Sequence, residues 1–155
     1  MIVYHSTHIT RLDDIMKNGL QINQPCIHTT VDFVPQVIMI YGMIPLFFAL
    51  SKAWLHKSSY KLIDGNVIIE VDIDDDWMVS DIPSLMDRGA YIEEGGIWFK
   101  DDSILNNNGE EIPYKSLLED RELIEKSMKL TKTCAVMRNI EKDRIKRVSP
   151  PIKES

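Results

Sequence analysis

Asn66-Val67-Ile68-Ile69-Glu70-Val71-Asp72-Ile73 decides how the rest of the chain is read. Val67, Ile69, Val71 and Ile73 fall on one side of an extended chain, and Ile68, Glu70 and Asp72 on the other. This is the alternation of a strand with one continuous apolar face. Asp64-Gly65 supplies a turn ahead of it. The acidic run Asp72 to Asp76 ends it and reads as a solvated turn rather than a metal site.

Toward the N-terminus, Ile2 to His5 reads as a short first strand, with Ser6 to Thr10 turning out of it. Ile9, Leu12, Ile15, Met16 and Leu20 then recur at helical spacing and give one apolar face. Thr10 with Asp13 offers an N-terminal cap, and Gly19 suits the C-terminus. Cys26 to Thr30, after the Pro25 turn, reads as a second short strand. The segment from about Asp32 to His56 reads as mainly helical. Pro45 removes a helix hydrogen bond and restricts its predecessor, so two shorter helices are expected with a break at Gly42 to Pro45. The second would turn Leu46, Phe47, Leu50 and Trp54 inward.

Toward the C-terminus, Tyr91 and Ile97 to Phe99 suggest two short strands around Glu93-Glu94-Gly95-Gly96. Asn106-Asn107-Asn108-Gly109 marks an exposed loop, and Pro113 to Leu130 a polar helical stretch. Thr133 to Met137 reads as a last strand, and Ile140, Ile145 and Val148 lead to the Pro150-Pro151 stop. Strands and helices are mixed, and no glycine-rich phosphate loop follows a strand, so the doubly wound nucleotide folds fit poorly. An α+β fold is expected, as one domain over residues 1–155.

The totals agree with a globular domain of ordinary make-up: 155 residues, 44% hydrophobic and 27% charged. A formal net charge of −6 argues against a broad nucleic-acid surface. Cys26 and Cys134 form no disulfide framework and no CxxC site, which suits a reducing compartment. MIVYHST lacks the basic and long apolar regions of a secretory signal. The apolar run Val37 to Leu50 is short for a bilayer span and is interrupted by Gly42 and Pro45. A cytoplasmic location without a membrane is therefore expected. The four histidines, His5, His8, His28 and His56, show no paired metal spacing, and Ser6 sits in no GxSxG elbow.

Several short motifs, taken in order, resemble the ADP-ribosyltransferase-like superfamily. Tyr4-His5-Ser6-Thr7, a short helix and Asn18-Gly19-Leu20 are similar to the family's opening. Ile27-His28-Thr29-Thr30 stands where its second strand falls. Ala49, Ala53 and Trp54 resemble the end of the following helix, and Val67 to Ile73 the next strand. Ala135-Val136-Met137-Arg138-Asn139-Ile140 through Ile145 resembles the closing segment. The resemblance implies split mixed or antiparallel sheets with flanking helices, and NAD as cofactor. It also implies an enzyme that modifies a protein or nucleic-acid target, of the toxin, defence or phage effector type.

On that resemblance, His5 with Ser6 or Thr7 holds the nicotinamide-side ribose and amide, and His28, Thr30 and Tyr41 complete the cofactor cleft. The family's carboxylate precedes the last strand, where this chain has Thr131-Lys132-Thr133-Cys134 and no acid. Glu94 or Glu93 is the expected substitute, stabilising the oxocarbenium-like charge with His5 beside it. Two alternatives stay open. A catalytically silent member would bind a nucleotide or a protein through the same cleft. A 2'-phosphotransferase-like enzyme would use His28, the Gly95-Gly96-Ile97-Trp98-Phe99 segment and phosphate-holding arginines drawn from Arg11, Arg88 and Arg138.

Overall fold

A computed structural model of the chain describes residues 1–24, 33–57, 64–88, 97–100, 103–106 and 108–151. It is an α+β fold built on a six-stranded antiparallel sheet. In chain order the strands are β1 (Ile2–His8), β2 (Leu46–Ala49), β3 (Asn66–Asp72), β4 (Met78–Val79), β5 (Ile97–Lys100), β6 (Ser103–Asn106), β7 (Thr133–Val136) and β8 (Ile145–Val148). The helices are α1 (Leu12–Asn18), α2 (Phe33–Tyr41), α3 (Lys52–Lys57), α4 (Ile82–Arg88), α5 (Tyr114–Glu119) and α6 (Arg121–Thr131). The sheet runs β4-β7-β2-β1-β3-β8, and β5 with β6 forms a separate hairpin.

The alternation in β3 does what its pattern dictates. Val67, Ile69, Val71 and Ile73 join Val3, Leu46, Phe48, Cys134 and Val136 in one apolar cluster, covered by Ile15 and Leu20. Each such side chain contributes roughly 1.5–3 kcal/mol on burial. The opposite face carries Ala135 against Val37, Ile40 and Tyr41 of α2, Ile82 and Leu85 of α4, and Ile124 of α6. The acidic run folds as a single 3-10 turn, Asp75–Trp77, with Asp74, Asp75 and Asp76 exposed.

Three expectations are corrected. The first strand does not turn out at Ser6: it continues to His8, because all seven of its residues pair with β3. The turn that follows is capped by the His8 side chain, which accepts from the Thr10 backbone N–H, rather than by Thr10 itself. The second helix expected after Pro45 is a strand, β2, buried on both faces and paired with β7 from Leu46↔Val136 to Ala49↔Thr133. A helix returns only at Lys52. The expected strand at Cys26 to Thr30, including His28 and Thr30, and the Glu93-Glu94 pair lie outside the described residues.

β1 and β2 are neighbours, yet they share a single registered pair, Tyr4↔Ala49. Beyond that rung the two strands part. One edge of residues 5–8 is left without a strand partner among the described strands.

Candidate functional site

Where β1 and β2 part, the structure forms a half-open cavity of about 500 Å³, within the usual range for small-molecule sites. Successive residues of a strand point to opposite faces. In a complete sheet they would therefore line different spaces. Here the uncovered edge of β1 lets both sets reach the cavity: His5 and Thr7 from one face, Tyr4, Ser6 and His8 from the other. Leu46 to Ala49 of β2 form the opposing wall, and Arg11 and Asp14 stand at the beginning of α1.

His5 bridges the gap. Its Nδ1 lies 2.9 Å from the Phe47 carbonyl oxygen, and since a carbonyl only accepts, Nδ1 carries the hydrogen. The ring also packs on Phe48, with centroids 5.5 Å apart and planes tilted by 57°. Burial pushes the imidazole below its ordinary pKa, the Phe47 carbonyl opposes this, and the positive charge of Arg11 lowers it further. His5 is thus neutral at pH 7, with Nε2 an acceptor. A sugar hydroxyl or an amide N–H is the complementary donor.

The part of the cavity wall made by Gly19, Leu20 and Ile44 is pinned by loop contacts. Gly19 has φ +80 and ψ −173, a conformation reserved for glycine. It delivers Leu20 into a bridge with Ile140. Asn139 accepts from the Ile22 N–H at 2.8 Å. Asn23 exchanges two hydrogen bonds with Ile44, at 2.8 and 3.0 Å.

A carboxylate that sequence reading did not single out also lines this cavity. Asp81 stands immediately before α4, and its Oδ1 accepts from the Ser84 N–H at 3.1 Å in the manner of a helix cap. Its Oδ2 accepts from the hydroxyls of Ser84 and Thr133, both at 2.7 Å. Thr133 belongs to Thr131-Lys132-Thr133-Cys134, the stretch that carries no acid of its own. The signal was present as an Asp followed within the first turn by Pro83, a helix-start pattern.

Tyr41, expected in the cofactor cleft, is placed behind it. It is buried, donates to the Ser80 carbonyl at 2.7 Å and accepts from the Ile82 N–H at 2.9 Å. Burial, and then the nearby Asp81, hold its hydroxyl well above the ordinary pKa. The two bonds of Tyr41 tether α2 to the stretch joining β4 and α4, where the Ser80 and Ser127 hydroxyls also meet at 2.8 Å. Of the arginines considered as phosphate holders, Arg11 lines the cavity, whereas Arg138 lies over the Trp77 ring at 4.0 Å.

Among the described residues no cluster of three His, Cys, Asp or Glu side chains could hold a metal ion, and no helix is long and apolar enough to cross a membrane. Comparison with protein-family models, with curated proteins and with solved structures finds no match to the chain.

Proposed function

We propose that the chain is an ADP-ribosyltransferase-like protein whose cleft, at the parting of β1 and β2, takes NAD and serves transfer of its ADP-ribosyl group to a macromolecule in the cytoplasm. The observation that carries this reading is the His5 geometry. A neutral imidazole, anchored through Nδ1 to Phe47, presents an acceptor at Nε2 in a cavity that also holds the Ser6 and Thr7 hydroxyls. Sugar hydroxyls and a carboxamide are the groups such a set recognises. Arg11 supplies positive charge at the same cavity for the pyrophosphate.

The reaction asks little covalent chemistry of the protein. The bond between the ribose C1' and the pyridinium nitrogen breaks, and its electron pair neutralises the leaving nicotinamide. The cation-like C1' is then captured by a nucleophile of the target, which gives up its proton to a base or to water. Orientation and electrostatic stabilisation supply the rate. Glu94 or Glu93, ahead of β5, is the carboxylate this reading assigns to the developing charge.

A second reading has its own observation. Asp81 is the acid beside Thr133, and both its oxygens already accept from neighbours. A cleft that uses its acid this way suits a silent nucleotide binder.

Calorimetric titration of NAD into wild type and His5→Asn, with an assay for released nicotinamide, separates these outcomes. Asn retains an N–H for Phe47 and removes Nε2. Binding lost in the variant with release by wild type supports the transferase. Binding without release selects the silent form, and no binding by wild type rejects the NAD reading.

A further inference from the structure

Two asparagines of the chain are followed directly by glycine, at Asn18-Gly19 and Asn108-Gly109. The pair has a chemistry of its own. The glycine backbone nitrogen attacks the asparagine Cγ with no Cβ in its way. A C–N bond forms, ammonia leaves, and the product is a five-membered succinimide. Water then opens the ring at either of its carbonyls and gives aspartate or isoaspartate. In sum, an amide and a water become a carboxylate and ammonium. Attack requires the side chain and the following backbone to turn freely toward each other, so the fold decides which pair reacts.

Asn18 is the last residue of α1, and its Nδ2 donates to Asp14 Oδ1 at 2.7 Å. The nitrogen that would attack it, that of Gly19, donates to the Ile15 carbonyl at 2.7 Å. Gly19 is buried, with the Ile140 carbonyl oxygen pressed against the place of a Cβ. Closing the ring there breaks both hydrogen bonds and pulls Gly19 out of its packing.

Asn108 stands in the opposite setting. Asn108 and Gly109 are both exposed, and Gly109, at φ +76, has open space where a Cβ would be. The loop is held from below by Asn106, whose Oδ1 accepts from the N–H groups of Asn108 and Glu110, both at 2.9 Å. These bonds use the Asn108 backbone and leave its carboxamide in solvent. One bond restrains the attacking nitrogen, from Gly109 N–H to the Asn106 carbonyl at 3.0 Å. A single bond in an exposed turn opens far more readily than a packed helix end.

We propose that Asn108 is a site of spontaneous deamidation, with water as co-reactant, and that the fold holds Asn18 unreactive. The product sets a new carboxylate beside Glu110 and Glu111. Its isoaspartyl form also adds a carbon to the backbone inside the turn between β6 and the Leu105–Glu111 bridge. The aged protein therefore differs from the fresh one in charge and in the hold of that turn.

Peptide mapping by mass spectrometry tests this on the protein kept at mildly alkaline pH, native and in guanidinium chloride. Unfolded, the two asparagines are expected to react at similar rates. In the native protein Asn108 should react faster than Asn18 by about tenfold or more, the ratio reporting the difference in local opening. Asn108→Ser should remove the acidic species that native wild type accumulates. Equal native rates, or a faster reaction at Asn18, overturn the proposal. So does a native Asn108 that stays intact while the unfolded chain reacts to completion, or an acidic species undiminished in Asn108→Ser.

Discussion

The Nδ1 of His5 and the backbone carbonyl of Phe47 meet at 2.9 Å across the place where β1 and β2 part. A side chain there does what the backbone ladder no longer does, and it fixes the tautomer that faces the cavity.

This makes the protein sensitive to acid in a defined direction. A histidine whose folded pKa lies below the ordinary 6.5 takes up its proton more readily when unfolded. Its contribution to stability is complete above pH 6.5 and is lost as the pH falls from there through the folded value. Urea midpoints of wild type and His5→Asn, compared from pH 7.5 down to 5, should diverge, with wild type losing more. Parallel pH profiles would show that His5 is not held neutral by the fold.

Asp81 should prove a structural keystone whatever else it does. It caps α4 and ties that helix to β7 through Thr133. Asp81→Ala is expected to cost about 2–4 kcal/mol, since it removes the cap and strands two hydroxyls. A double-mutant cycle with Thr133→Val should give a coupling of about 1 kcal/mol or more. Strict additivity of the two changes would contradict the contact.

At Gly19 the prediction is geometric. A Cβ there would strike the Ile140 carbonyl oxygen, at a backbone conformation that other residues avoid. Gly19→Ala should lower the melting temperature by several degrees and open the Leu20–Ile140 bridge, read as faster amide exchange at those two residues. Unchanged exchange would mean that the bridge does not depend on the glycine.

Cys134 should be chemically silent. It is fully buried, and burial first, then the charge of Asp81, push its thiol up to about 12. In a Cys26→Ser background, a thiol-alkylating reagent at pH 8 should label nothing until denaturant is added. Stoichiometric labelling of the native protein is the contrary result.

How much of this was legible in the sequence depended on whether a segment has two different sides. β3 was legible because Glu70 and Asp72 interrupt its outer face. The polar stretch that became α5 and α6 was legible for the same reason, and the expected apolar side of α1 only in part: Ile15 and Leu20 are buried and Leu12 packs on the core, whereas Ile9 and Met16 are exposed. Leu46-Phe47-Phe48-Ala49 is apolar on both sides because Leu46 and Phe48 pack into the cluster around Val3 while Phe47 packs on the opposite face against the cluster of Val37 and Tyr41. A short run of that kind has no period that separates strand from helix. The candidate site was legible at His5, Ser6 and Thr7, whose residue types announce hydrogen bonding. Asn66 was not, since at the head of an alternating apolar strand nothing marks it as a residue that lines a cavity. Asp81 was hidden for a different reason: the acid beside Thr133 comes from another element, 52 residues away, and no local spacing encodes that approach.

The single rung between β1 and β2 has a last consequence. The sheet is two three-stranded leaves joined at Tyr4↔Ala49 and laced by one imidazole. A donor that bonds Nε2 polarises the ring and strengthens the grip of its Nδ1–H on Phe47. The imidazole that laces the leaves also lines the cleft, so a donor bound there, as the NAD reading expects, is predicted to tighten the seam.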